Sequence, residues 1–358
     1  MEDDLILLVI PAFVVLIGVE FVYGRLAGNN NYRLNDTLSS LSQGLISQAV
    51  ALCTPLIQYG LYGLLYDWIT RQHPTPLWFA WSAWYGWLAA FLIYDFSDYW
   101  LHRVSHQCAF FWGAHVVHHQ SQFFNLSTAL RQESLYPIVG CFFFFPMALL
   151  GIEPQMYLKV ALFVLVYQFW IHTEHIGTLG WMDQVFSTPS NHRVHHAINA
   201  NYIDKNFGAV LVIWDRLFGT FQPEQEPCVY GTSQPLNSWN PAWALLSVYA
   251  DLLRRARSAS GWRNRCRVFY KNPGWTTPGV DDAGHQAKSM QQQRYDPPFR
   301  RHGALLSIAL FLLAAMLLGA CLYWEDQITF AAKLLGAVLI GLSLYLCGYF
   351  LEFRSKRH

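Results

Sequence analysis

Charge is scarce in this chain. Of its 358 residues only 13% are Asp, Glu, Lys or Arg, while 53% are hydrophobic and 16% aromatic; a soluble domain carries about 25% charged residues. That shortage, with a positive mean hydropathy, excludes an ordinary water-soluble domain and points to a bilayer. Net charge is equally small, +1 at pH 7, so the strongly basic face that nucleic-acid binding needs is missing. The seven cysteines (Cys53, Cys108, Cys141, Cys228, Cys266, Cys321 and Cys347) include no C-x-x-C pair. Neither a disulfide framework nor a thiolate metal site is expected from them. The sequence also lacks an internal repeat, a glycine-rich phosphate loop and the H-E-x-x-H motif of membrane zinc proteases.

Apolar runs are plentiful. Segments at about 5–24, 41–66, 77–100, 135–151, 155–172, 303–324 and 327–351 approach or exceed the roughly 17–25 residues that cross a bilayer as a helix. The expectation is an all-α, polytopic integral membrane bundle with seven crossings. The first segment opens on Glu2, Asp3 and Asp4 rather than a basic region, so it reads as an anchor and not a cleaved signal. Residues 135–172, with Pro146 inside and only Ile152, Glu153 and Pro154 as a turn, read as a hairpin that can fall short of a full crossing. Arg25, Arg33, Arg103, the run Arg254, Arg255, Arg257, Arg263, Arg265, Arg267 and Lys271, and Arg354, Lys356 and Arg357 all follow or precede spans. The positive-inside rule puts them on the cytoplasmic side, in a bacterial inner membrane or an endoplasmic reticulum. The basic run at 254–271 reads as this signal plus attraction to anionic headgroups.

Four regions are expected: amino-terminal transmembrane helices at 1–76, a catalytic unit at 77–221, a cytoplasmic polar segment with irregular, proline-rich loops at 222–302, and closing transmembrane helices at 303–358.

Histidine is what the chain has in excess. Ten of its fourteen lie between residues 102 and 196, as His102 and His106; His115, His118 and His119; His172 and His175; and His192, His195 and His196. Residues three and four apart share a helix face, so each H-x-x-x-H or H-x-x-H-H box can aim several imidazoles at one place. One ion takes about four to six ligands, which makes two metals the natural reading. Asp98 and Asp95, one and two turns before His102, are candidates to accept the outer N–H of a ligand imidazole. Glu174 could bind metal or orient a ligand, although it does not share a helical face with His172. His73, His285, His302 and His358 lie outside any box and read as surface residues. Asn125-Leu126-Ser127 matches a glycosylation sequon, but between boxes on the cytoplasmic side it should stay bare.

The boxes sit just past the span ends, unlike haem ligands inside a bundle. Oxidisable metals with open positions and an apolar approach suit O₂ activation against a lipid C–H bond, which has no acidic proton and no leaving group. A non-enzymatic alternative is a membrane metal-binding or transport protein, against which the spans carry few of the ionisable residues a transport path uses.

The order of the boxes, led by Asp98-Tyr99-Trp100-Leu101-His102-Arg103, resembles the fatty acid hydroxylase and sterol desaturase superfamily of membrane non-haem di-iron enzymes. The strings from Asn125 to Gln132, Tyr167 to Glu174, His192 to His196, and Ile203 to Gly208 running to Trp214–Thr220 resemble its ether-lipid branch. The resemblance covers about residues 32–280. It implies two iron ions held by His102, His106, His115, His118, His119, His192, His195 and His196, with His172 a ninth ligand; those eight are also the implied catalytic residues. It further implies a tetrahydropterin reductant and hydroxylation beside an ether oxygen, giving a fatty aldehyde and a glycerol. Partners are then a lipid substrate, O₂ and a separate electron donor. A sterol, fatty acyl or carotenoid hydroxylase or desaturase is the alternative within the superfamily. Gln107 and Gln122 stand where the ether-lipid branch carries acidic residues. The segment Trp214–Thr220 reads as a packing element.

Overall fold

The computed structural model describes residues 3–72, 79–276, 294–298 and 301–352. Among these the architecture is all helical, with two isolated bridges, Phe186 to Leu211 and Ala197 to Tyr230, in place of a sheet. The helices are α1 (Asp3–Leu26), α2 (Leu34–Cys53), α3 (Leu61–Gln72), α4 (Trp84–Gln107), α5 (Ala109–His119) and α6 (Leu126–Ala129). They continue with α7 (Tyr136–Gly140), α8 (Phe145–Leu149), α9 (Pro154–Trp170), α10 (Pro189–His196) and α11 (Ile213–Phe218). The last four are α12 (Pro241–Ser258), α13 (Gly261–Tyr270), α14 (Arg301–Tyr323) and α15 (Phe330–Glu352).

Among the described residues three helices are long and apolar enough to cross a membrane: Val9–Leu26 of α1, α14 and α15. This differs from the expected seven, and proline explains much of the difference. Pro55 pushes Thr54 out of helical geometry, φ −127° and ψ 28°, so the run 41–66 splits into α2, a π-helical turn at Leu56–Gly60 and α3. Pro137 and Pro146 each occupy a first helical turn, and 135–151 breaks into α7, a 3₁₀ turn at Cys141–Phe144 and α8. The helix α9 has 17 residues, about 25 Å at 1.5 Å per residue. The helix α4 has 24 residues but carries Asp95, Asp98 and Arg103 besides its histidines.

The main core joins α4, α9 and the broken 135–151 stretch through Ala90, Tyr94, Leu101, Met147, Ile152, Val160 and Val164, and reaches Ala209, Val210 and Leu211. A second cluster, Ala49, Leu52, Ala314, Leu318, Ile340 and Leu344, fastens the α14–α15 pair to α2. The described residues 222–276 hold more helix than the loop-rich expectation: α12 and α13 pack on α5 through Ala109, Leu252, Ala256 and Val268. The contact is close, since a Cβ on Gly113 would stand 2.8 Å from the Tyr249 ring. The glutamine run 291–293, His73, His285 and His358 lie outside the described residues, and His302 is exposed.

Candidate metal centre

The histidines reach one region because four helix ends meet there. His102 and His106 occupy the last turns of α4, and His115, His118 and His119 close α5. His172 follows the end of α9, and α10 carries His192, His195 and His196. Every residue of α10 is buried although few are apolar. Pro189 starts it, the Thr188 side chain caps it, and Arg193 forks onto Glu224 at 2.8 and 2.6 Å while donating to the carbonyls of Thr173 and Ile176. That arginine therefore ties α10 to the loop carrying His172.

Nine imidazoles form two buried groups. His102, His106, His115, His119 and His195 make one; His118, His172, His192 and His196 make the other, and within each group the candidate donor atoms lie within 4.8 Å of one another. The helical i, i+4 pairs 102/106, 115/119 and 192/196 stay together. Each H-x-x-H-H box is nevertheless divided between the groups, His118 and His195 crossing to the group opposite their neighbours. The groups touch, with the His119 and His196 rings stacked at 4.4 Å.

Outer hydrogen bonds set which ring nitrogen points inward. Nδ1 of His102 donates to the Phe207 carbonyl at 2.8 Å, of His118 to Arg131 at 3.1 Å, of His172 to Gln168 at 2.7 Å and of His195 to Lys205 at 2.9 Å. A carbonyl oxygen only accepts, so the proton is on Nδ1 and Nε2 is a bare acceptor. Yet Nε2 of His118 and Nε2 of His172 face each other at 3.2 Å. Two bare acceptors cannot bond to one another; a cation between them relieves the repulsion. Other Nε2 pairs, His102 with His115, His115 with His119, His172 with His192 and His192 with His196, lie 2.9 to 3.1 Å apart. Metal–nitrogen bonds of about 2.1 Å at right angles give a spacing of about 3.0 Å, whereas a tetrahedron gives about 3.4 Å. Nε2 of His106 and of His195 are buried without a hydrogen-bond partner. The residues present therefore fit a metal in each group.

Burial holds the cluster neutral. The His102 and His118 imidazoles are pushed down to about 3, chiefly by loss of solvent, and His115, His119, His172, His192, His195 and His196 are also held well below the ordinary value by burial. Neutral imidazole is the form that binds metal.

The second layer differs from expectation. Asp95 accepts from the Val210 amide at 3.0 Å and from Trp214 Nε1 at 2.8 Å, bracing α4 against the 207–214 loop rather than reaching an imidazole. Asp98, pushed up to about 7 by burial and by the Asp95 charge, makes no hydrogen bond to a histidine among the described residues. Glu174 is exposed and accepts from Asn31 Nδ2 at 3.3 Å, because the chain has left α9 and turned outward. His175 packs edge-on to Tyr23 at 5.1 Å, outside both groups.

The carboxylates that do meet the cluster are Glu133, whose Oε1 is 2.7 Å from His115 Nδ1, and Asp204, whose Oδ1 is 3.6 Å from His106 Nδ1. Burial pushes Glu133 up to about 8. No spacing rule ties Glu133 to His115, 18 residues away, so the sequence carried no signal for it. Asp204 lay in a string quoted only for its resemblance, and its φ of 59°, with 53° at Asn206, shows a left-handed turn that Asp and Asn tolerate. Asn206 then donates to the Asn191 and Gln222 carbonyls, securing α10.

Trp214–Thr220 behaves as a brace. Asp215 accepts from the amides of Phe207 and Gly208 and from the Thr220 hydroxyl, and Gly219 turns left-handed at φ 74° to let the chain return. Phe207 is the residue whose carbonyl orients His102. Gln107 is exposed, and Gln122 accepts the Tyr295 amide at 2.6 Å; neither touches a histidine. Asn125 is buried, capping α6 and donating to the Asn31 carbonyl, so its sequon is inaccessible in the fold.

A helical membrane protein with paired buried histidine groups defines a class, and sequence comparison supplies the family. The fatty acid hydroxylase family matches residues 87–220. The chain is 36% identical over 355 residues to alkylglycerol monooxygenase of Homo sapiens and 35% over 352 residues to that of Danio rerio, each match spanning 97% of this chain and 77% of the relative. A Delta(7)-sterol 5(6)-desaturase of Aspergillus fumigatus is 29% identical over 171 residues, 46% of each chain. No solved structure matches. The chain belongs to the fatty acid hydroxylase family, and it is an oxidoreductase acting on lipid, of the hydroxylase and desaturase kind.

Proposed function

We propose that this protein is a membrane di-iron monooxygenase that hydroxylates the carbon beside the ether oxygen of an alkylglycerol. The hemiacetal so formed collapses to a fatty aldehyde and a glycerol. The observation that carries the metal reading is the approach of two bare acceptors, Nε2 of His118 and of His172, at 3.2 Å in a buried site. The substrate reading is supported by relatives named alkylglycerol monooxygenase that match nearly the whole chain.

His102, His106, His115, His119 and His195 would hold one ion, and His118, His172, His192 and His196 the other. Five donors exceed the four that zinc prefers, and an alkyl C–H bond calls for an oxidisable metal. When bound, the irons supply O₂ activation and oxygen insertion, drawing electrons from a separate donor that the family resemblance suggests is a tetrahydropterin.

The chain's own residues orient and exclude. Carbonyls of Phe207, Arg131, Gln168 and Lys205 hold Nδ1 protons outward, and Glu133 accepts the same proton of His115. Phe124 stacks against His172 at 5.5 Å, Trp112 lies 5.1 Å from His106, and Phe207 sits edge-on to His102 at 5.7 Å, keeping water from the imidazoles.

A catalytic unit at 77–221, followed by a polar segment at 222–302 and flanked by membrane segments at 1–76 and 303–358, is part of this proposal. So is a cytoplasmic position for the histidines. Three spans are odd in number, as seven are, so Arg25, Arg33, Arg103 and the 254–271 run still share one side with both groups.

Incubating membranes that contain the protein with a labelled alkylglycerol and a tetrahydropterin should yield labelled fatty aldehyde. A sterol, fatty acyl or carotenoid substrate is the second reading, favoured by the sterol desaturase relative. Hydroxylated or desaturated sterol or acyl product with no aldehyde would select it.

A further inference from the structure

An ionisable side chain inside a membrane helix is costly unless it is paired, and its pairing indicates its use. Glu20 lies within the Val9–Leu26 span and is 7% exposed. Three different parts of the chain donate to it. The Tyr32 hydroxyl and the Leu126 amide, at 2.7 Å, donate to Oε2, and the Thr173 hydroxyl donates to Oε1. Leu126 opens α6, and Thr173 directly follows His172.

The other described side chains of α1 do little to fix its register. Val14, Val15 and Val19 are more than half exposed, as suits a lipid-facing surface. Its docking seam is narrow. Phe13 stacks on Phe169 with ring centroids 3.8 Å apart, Phe13 and Ile17 pack on Leu126, Ala129 and Phe169, and Gly24 lets His175 approach. Positions 13, 17, 20 and 24 repeat at the three- and four-residue spacing of one helix face. Apolar contacts of this kind tolerate sliding, whereas a carboxylate with three donors has one register.

We propose that Glu20 is a positioning residue that clamps the His172 loop and the start of α6 to the membrane helix, so that the four-histidine site assembles only with α1 docked. The inference rests on the metal reading given above. Glu20 itself touches no imidazole. It acts through Thr173, whose carbonyl also accepts from Arg193 at 3.0 Å and so links the clamp to α10.

The test uses the full chain in detergent, with elemental analysis and amide hydrogen exchange on the wild type, Glu20→Gln, Glu20→Asp and Thr173→Val. In Glu20→Gln an amide NH₂ replaces one accepting oxygen among three donors. Bound metal should fall from about two ions per chain towards one, and exchange over 126–130 and 171–175 should quicken by roughly tenfold or more, while 102–119 stays protected. Glu20→Asp should recover part of both. Thr173→Val should quicken exchange over 171–175 alone. Unchanged exchange in Glu20→Gln overturns the clamp, and so does loss of protection across 102–119 in equal measure, which marks general unfolding. If the wild type holds no transition metal, the metal reading fails by itself and the exchange pattern still decides the role of Glu20.

Discussion

The five-histidine and four-histidine groups are built from the same boxes yet are held differently. In the five-histidine group two outer nitrogens face carboxylates, His115 towards Glu133 and His106 towards Asp204. In the four-histidine group His118 and His172 bond outward to neutral backbone carbonyls. A carboxylate partner raises ligand basicity more than a carbonyl does. An ion held by the first group would thus meet five donors, two of them backed by carboxylates, and one held by the second would meet four. Two ions held in such a setting would not be equivalent, and each substitution below acts on one group more than on the other.

The largest effect should come from His118→Ala, which removes one of four donors where none is spare. Turnover should vanish and bound metal should drop, because loosening one ion of a pair also loosens its partner. Metal content and activity equal to wild type would remove His118 from the site. Next is Glu133→Ala, expected to weaken metal binding by about 10–100-fold, with Glu133→Gln less harmful since its amide oxygen can still accept from Nδ1. A metal titration that shows the two variants alike would mean the carboxylate is a packing element and would erase the contrast between the groups.

Acidification should act on both groups together. Imidazoles held far below 6.5 in the fold, His102 and His118 at about 3, are neutral when folded but take up protons once unfolded. The unfolded state therefore binds more protons between about 6.5 and 3, and stability falls as pH falls through that range. Thermal melting of the metal-free protein should show a lower midpoint at pH 5 than at pH 7.5; a rise on acidification contradicts it. The smallest change is expected from Asp204→Asn. At 3.6 Å and one-third exposed, that carboxylate should contribute a few-fold change in metal affinity at the five-histidine site, weaker at high salt. A loss as large as that of Glu133→Ala would reverse the ranking of the two carboxylates.

How far the sequence was legible depended on distance along the chain. His102 and His106, or His192 and His196, are one helical turn apart, and helix periodicity alone aims them together. Their division into two groups was not legible, because it depends on how α4, α5, α10 and the end of α9 are set against one another. Asp95 and Asp98 were plausible partners for His102 by spacing, yet they face the 207–214 loop and the core. Glu133 and Asp204 take the role instead, from loops whose path no local rule fixes. Glu20 is the extreme case: a single acid in an apolar run, its meaning supplied by Tyr32, Leu126 and Thr173.

Hydropathy located the apolar runs but overcounted the helices able to cross, since its averaging passes over Pro55, Pro137 and Pro146. The sequence by itself determined that this is a helical membrane protein with histidines at metal-binding spacing, because composition and periodicity are local properties written into each segment. Only the tertiary structure decided which imidazoles group together and which acids and carbonyls orient them. Apart from His172 with Gln168, the orienting hydrogen bonds join residues 10 to 105 positions apart, and packing rather than propensity brings them together.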